Sequence, residues 1–428
     1  GWGIVRVLDK ETADLKPLPK GTNPLGIPAT PSSVCPADAP VKNFSVVALD
    51  RPMKLNPKAP DAIEVDFERK IEMTMPEGKI FALEAEATTV ASGATPNPLT
   101  LRVNLGDCIK VNLKNKMKAS RASFFAPGLA FDPKDSQGLN VGNNGGDQTV
   151  GPGEGRSYTY YAHPSNKETT SLVWDGGNIV VNPRNGLYGA IIVGPRGSQY
   201  RDPVTGADVS QKNSWRADVI VDTSFTENAG KRNYRDVALF FQDEDNIIGT
   251  AFMPYVQNVA GLTSVNYRAE PYKFREEQGC SLGKIFQPCA VDKPEDPVTP
   301  LIEAHAGDAV RIHVIGANSE QNGMFGVEGH EWPIEPYMPG ADQISVVEYA
   351  GSETLDVFIR GGAGGPYRQV GDFVWSNARL PYTQSGQWGY LRVLPAGDSR
   401  IQPLGTHGMG AKQAEVEPAV KAIPTAMK

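Results

Sequence analysis

A run of glycines and strand-forming residues recurs at a spacing of about 200 positions. This repeat restricts the chain to folds built from two similar units. Gly186-Leu187-Tyr188-Gly189-Ala190-Ile191-Ile192-Val193-Gly194-Pro195 is echoed by Gly386-Gln387-Trp388-Gly389-Tyr390-Leu391-Arg392-Val393-Leu394-Pro395. Upstream, Leu105-Gly106-Asp107-Cys108-Ile109-Lys110-Val111 matches Ala306-Gly307-Asp308-Ala309-Val310-Arg311-Ile312. In both copies a turn-forming Gly-Asp precedes an alternating strand. The repeat predicts one unit over residues 21–200 and a second over 201–405, with 406–428 as a tail or severed linker.

A third, partial copy opens the chain. Gly1-Trp2-Gly3-Ile4-Val5-Arg6-Val7-Leu8 matches Gln387–Leu394, and Leu15–Leu18 matches Ile401–Leu404 at the same offset. Residues 1–20 therefore read as the last strand and linker of a preceding unit. A lone strand of this kind needs a partner sheet.

The composition agrees with a β-rich chain. Among 428 residues there are 45 Gly and 35 Pro, with 40% apolar and 21% charged residues, which favours many turns and short strands over long helices. The expected strands include Phe44–Leu49, Ala62–Met73, Leu99–Val103, Ile109–Leu113 and Tyr188–Val193. The second unit offers Asp236–Gln242, Ser264–Tyr267, Ala309–Ile315, Thr354–Ile359 and Tyr390–Leu394. Helix is minor, with Ala411–Ala422 the best candidate. A net charge of −7 without a basic stripe speaks against a nucleic-acid partner. No apolar run approaches the roughly 18 residues of a transmembrane segment.

The four cysteines, Cys35, Cys108, Cys280 and Cys289, lack the C-x-x-C spacing of zinc or redox sites. Four allow three pairings. Cys280 with Cys289 and Cys35 with Cys108 is favoured, with buried free thiols as the alternative. A start at Gly1 rather than Met is consistent with an exported protein (periplasmic, outer-surface or extracellular) carrying disulfides.

The pattern resembles the cupredoxin domains of multicopper oxidases, and within them most the large bacterial type associated with manganese oxidation. In the first unit the likeness rests on Phe131–Gly138, Gln148–Glu154, Tyr158–Pro164, Ser171–Asp175 and Gly186–Pro195. In the second it rests on Asn266–Pro271, Gly329–Pro333 and Gly371–Val393. The resemblance implies an all-β protein of two tandem Greek-key β-sandwiches.

It also implies where copper ligands belong. A blue-copper centre takes a thiolate and two imidazoles, often with an axial Met. The family arranges them as His-Cys-His, then His, then Gly-Met. Anchored on Gly386, these slots fall on Ser376, Asn377, Ala378, Tyr382 and Gln387. Anchored on Gly186, they fall on Gly176, Gly177, Asn178, Asn182 and Leu187. Neither set keeps a thiolate or an imidazole. The family's His-x-His-Gly-His strand falls on Gly326–His330 and retains only His330. A trinuclear cluster takes eight imidazoles, and the chain has five His.

Other metal donors are few. His305 and His313 are candidates for one sheet face, although Gly307-Asp308 interrupts the strand between them. Asp243, Glu244 and Asp245 offer hard oxygen ligands for calcium or manganese, or an acidic turn capping a strand. Gly361–Gly365 is followed by no Gly-Lys-Ser/Thr and reads as a tight strand connection rather than a phosphate loop.

Two functions follow as expectations. In the first, the chain is a copper-free structural part of a multicopper-oxidase-type protein, partnered with other cupredoxin-like domains that hold the copper. The parent reaction is then oxidation of a metal ion such as Mn(II), or of a phenolic substrate, with reduction of dioxygen to water. In the second, it is a non-enzymatic secreted or surface subunit assembled by strand complementation.

Overall fold

The computed structural model describes residues 2–7, 34–66, 69–245, 259–288 and 295–405. The expected helix at Ala411–Ala422, the tail and most of the first linker lie outside the described residues.

The chain folds as two β-sandwiches. In the first, one sheet runs in the order Lys79–Leu83, Val41–Asp50, Cys108–Asn115, Gly155–Tyr161, Ala130–Phe131. It faces a sheet ordered Thr169–Trp174, Tyr188–Gly194, Leu99–Asn104. The alternation of Cys108–Asn115 sets its orientation: Ile109, Val111 and Leu113 point into the core while Lys110, Asn112 and Lys114 are exposed.

The second sandwich repeats the pairings of the first. Val41–Asp50 runs parallel to Cys108–Asn115, and Tyr234–Asp245 runs parallel to Val310–Asn318. Tyr188–Gly194 runs parallel to Leu99–Asn104, and Trp388–Leu394 to Ile302–His305. The Gly-Asp turns recur in atomic detail. The Asp107 carboxylate accepts from Asn104 N at 2.8 Å, and Asp308 accepts from His305 N at 2.9 Å. Gly106 and Gly307 take φ of 89° and 88°, which a side chain would strain.

The two sandwiches share apolar packing. Tyr188–Gly194 is buried on both faces, as strands covered on both sides are. Ile191 and Val193 enter the first core, whereas Tyr188, Ala190 and Ile192 pack with Ala238, Phe240 and Ile315 of the second unit. The second unit's own core gathers Leu239, Phe241, Val314, Phe325, Trp375 and Leu391.

Two strand expectations are corrected. Ala62–Met73 is not one strand but an antiparallel pair, Ala62–Asp66 and Arg69–Glu72, whose second strand joins the second unit's sheet at Gly261–Val265. The strand expected at Ser264–Tyr267 stops at Val265. Asn266 and Tyr267 take φ of 51° and 61°, and the Asn266 amide satisfies Phe240 N at 2.8 Å and Ala238 O at 3.1 Å. That local side-chain bonding replaces continuation of the ladder.

Cys35 and Cys108 form a disulfide with Cα atoms 5.6 Å apart. Cys280 is itself disulfide-bonded, and Cys289 lies outside the described residues. No helix among the described residues is long and apolar enough to cross a membrane.

Candidate functional site

The two sets of family-spaced positions adopt one backbone design. Short helices, Val181–Arg184 and Leu380–Gln384, are followed by Gly186 and Gly386 with φ of 98° and 114°. The chain then turns back. Leu187 N donates to Asn182 O at 2.9 Å, and Gln387 N donates to Tyr382 O at 3.0 Å.

In the second unit the site is closed by amides. Asn377 Nδ2 donates to Gln387 Oε1 at 2.7 Å and to the Tyr349 hydroxyl at 3.2 Å. Asn377 Oδ1 accepts from Met324 N at 3.0 Å and Arg379 N at 3.2 Å. Gln387 Nε2 donates to Gln242 O at 2.8 Å. Asn377 and Gln387 are buried, as is Tyr382. Ser376 and Ala378, on the opposite strand face, are half-buried and exposed.

In the first unit the site is closed by backbone. A Cβ at Gly177 would lie 2.6 Å from Ala122 N, and one at Gly176 would lie 2.3 Å from Gly138 O. Asn182 Nδ2 donates to Asp175 Oδ2 and to Arg121 O, both at 2.8 Å. Asp175 also accepts from Ser123 N and Asn178 N, and burial pushes its carboxyl above the ordinary range. Leu187 is core. Amides, hydroxyls, glycines and alkyl groups are not the thiolate and imidazoles of a blue-copper centre. These residues do not fit copper.

The remaining candidates do not converge: among the described residues no three His, Cys, Asp or Glu side chains group as metal ligands. His305 and His313 share no sheet face, because Ile302–His305 and Val310–Asn318 belong to opposite sheets. His305 Nε2 lies 2.8 Å from Asp398 O. His330 accepts from Gly364 N at 3.0 Å and contacts Glu328 O at 2.7 Å, and burial lowers its pKa. That contact uses the Gly361–Gly365 connection, where four glycines take positive φ.

Asp243 turns inward and accepts from Glu320 N at 3.1 Å; burial raises its pKa to about 7. Glu244 turns outward to Arg184. Strand alternation separates the two carboxylates. The Asp245 side chain lies outside the described residues.

The densest polar constellation joins the two units. His313 Nδ1 lies 2.6 Å from Asp356 Oδ1, and Nε2 lies 2.8 Å from Asp236 Oδ2. Arg102 of the first unit pairs with Asp236. Arg311 reaches Asp356 at 2.6 Å and Glu168 of the first unit at 3.0 Å. Thr170 adds a contact to His313 Nδ1 at 2.7 Å. Burial opposes the imidazolium, but the two carboxylates outweigh it and hold the His313 pKa above its ordinary value. Burial likewise opposes the charged carboxylates, yet Arg102 and His313 hold Asp236 low, and Arg311 and His313 hold Asp356 low.

Sequence reasoning missed Arg102, Glu168, Asp236, Arg311 and Asp356. Their signal is a charge placed within an apolar strand, as in Val310-Arg311-Ile312-His313-Val314. Buried charges of this kind are retained when paired.

No protein-family model matches the sequence, and no curated protein does. Solved structures do. A multicopper oxidase is 14% identical over 85% of this chain and 92% of its own, with a TM-score of 0.46. A blue copper oxidase from Nitrosomonas europaea is 14% identical over 82% of this chain and 86% of its own, at 0.48. A copper nitrite reductase from Nitrosomonas europaea is 12% identical over 84% and 96%, at 0.49. The chain is an all-β protein of two packed sandwiches, similar at low identity to solved structures of a multicopper oxidase, a blue copper oxidase and a copper nitrite reductase.

Proposed function

We propose that this chain is the structural, copper-free cupredoxin-like portion of a multicopper-oxidase-type protein. The copper ligands lie outside these residues, in other cupredoxin-like domains of the same protein or assembly. The parent oxidises a metal ion such as Mn(II), or a phenolic substrate, and reduces dioxygen to water. The carrying observation is the buried Asn377–Gln387 amide pair at the family's Cys and Met spacing. A thiolate and thioether would bind metal there; two amides bind each other. The Cys35–Cys108 disulfide supports placement outside the reducing cytosol.

Copper titration of the chain tests this reading. The expected result is no copper–thiolate charge-transfer band and no copper retained after dialysis. A blue band, or one stoichiometric copper per chain, would overturn it.

A second reading, assembly by strand complementation, has its own support. Residues 2–7 make no sheet pairing, and Trp2, Val5 and Val7 are at least 90% exposed. Their sequence matches Trp388–Val393, within a strand held between two neighbours. An exposed apolar strand seeks a sheet. Concentration-dependent oligomers that dissolve on adding a peptide of residues 1–8 would favour this reading; a chain monomeric at all concentrations would count against it.

A further inference from the structure

We propose that a cavity at the seam between the two sandwiches binds a small organic monocarboxylate with an apolar aryl or alkyl body. The cavity has a volume of about 740 Å³, within the range of about 300–1,000 Å³ of small-molecule sites. Its walls come from the Met53–Lys54/Thr74–Met75 strand pair, the 93–95 loop, and Arg268 and Val298 of the second unit.

The charge of the lining is the main argument. Arg51, Lys54 and Arg268 line the cavity, with Asp61 as the one acidic side chain. Asp61 pairs with Lys54 at 3.3 Å. Among the described residues, neither guanidinium is paired with a carboxylate. Arg268 is half-buried, and each of four fully buried arginines has a carboxylate partner. Arg102 faces Asp236, Arg235 faces Asp218, Arg275 faces Glu270, and Arg311 faces Glu168 and Asp356. Among the described residues Arg268 makes hydrogen bonds only to neutral oxygens: Thr95 O at 2.6 Å, Pro96 O at 3.1 Å, Asn97 Oδ1 at 3.0 Å and Asn266 O at 2.6 Å. Burial alone pulls its pKa down to about 10. A desolvated cation without a counter-ion is costly, and an anion in the cavity relieves that cost.

The geometry is prepared for such a ligand. Arg268 follows the left-handed pair Asn266 and Tyr267. Strained non-glycine conformations persist where the surroundings enforce them and mark sites where a side chain must be aimed. Arg51 is held by Val90 O at 2.7 Å and Gly93 O at 2.9 Å. Its other bonds, to Pro52 O and to Ala94 O at 3.3 Å, leave one N–H, so Arg51 offers a carboxylate its charge and a single hydrogen bond. Met53, Leu55, Pro57 and Val298 supply the apolar wall, which an inorganic oxyanion would leave in contact with water.

Isothermal titration of the full chain with benzoate and hexanoate tests the site. The expected result is saturable binding, one ligand per chain, with benzyl alcohol and inorganic phosphate each at least tenfold weaker. Arg268→Gln should weaken benzoate at least tenfold. Because Arg268 also ties down the 95–97 loop, Val298→Trp is the second variant: it fills the cavity, leaves the arginines' partners intact, and should abolish binding with an unchanged melting temperature. The proposal is overturned if neither carboxylate saturates, if benzyl alcohol or phosphate equals them, or if folded Val298→Trp binds as the parent does.

Discussion

Asn377 and Gln387 face each other through a buried 2.7 Å amide–amide hydrogen bond and a second, main-chain bond of 2.9 Å. All hydrogen-bonding capacity of the Asn377 amide is used, on four partners from three segments. Asn377→Ala removes the partner of buried Gln387 Oε1 and of the part-buried Met324 N and Arg379 N. The expected loss is about 2–4 kcal/mol in urea unfolding. A loss within error of zero would show that water replaces the amide.

Gly177 illustrates the opposite means of closure. Its hypothetical Cβ meets the Arg121–Ala122 backbone at 2.6 Å, and backbone cannot yield as a flexible side chain does. Gly177→Ala should cost about 1–3 kcal/mol by overpacking. Gly146→Ala, where a Cβ meets nothing within 4 Å, is the control, expected within about 0.5 kcal/mol of the parent.

His313 ties the two units together electrostatically. Its pKa is raised on folding, so its stabilisation is fully present below the unfolded value of about 6.5 and is lost as pH rises through the folded value. Asp236 and Asp356 are lowered, so theirs is present above about 4 and lost as pH falls through the folded values. His313→Gln should cost about 3–5 kcal/mol near neutrality and flatten the alkaline decline. Urea midpoints measured from acid to alkaline pH check both; an undiminished alkaline decline in the variant would assign it elsewhere.

Asp243 has the opposite sign to Asp236 and Asp356. Its folded pKa of about 7 stands above the unfolded carboxylate value, so the native state holds the extra proton and stability falls as pH rises from about 4 to about 7. Asp243→Asn should gain on the order of 2 kcal/mol at pH 8 and little at pH 4. Equal gains at both pH values would contradict burial as the cause.

The sequence by itself determined the doubled β architecture. The Gly-Asp turns at Gly106 and Gly307 and the returning glycines at Gly186 and Gly386 are local requirements for positive φ, legible because only glycine meets them cheaply. The Cys35–Cys108 pair was legible as one of three choices. Alternation also located the strand Cys108–Asn115, because one of its faces meets water. It failed at Ala62–Met73, where one alternating stretch divides into two short antiparallel strands.

Only the tertiary structure decided what the conspicuous residues do. His305 and His313, near in sequence, part into opposite sheets, and His313 is claimed by Asp236, Asp356 and Thr170 from three other strands. Asn377 and Gln387, ten positions apart, meet because the helix Leu380–Gln384 folds the chain back. Arg268, in the sequence only one residue of the Asn266–Pro271 likeness, is surrounded in the fold by Thr95–Asn97 and meets no carboxylate among the described residues. Backbone torsions are set by neighbours in sequence. The pairing of buried charges is set by long-range packing, where desolvation makes each partner, or its absence, matter.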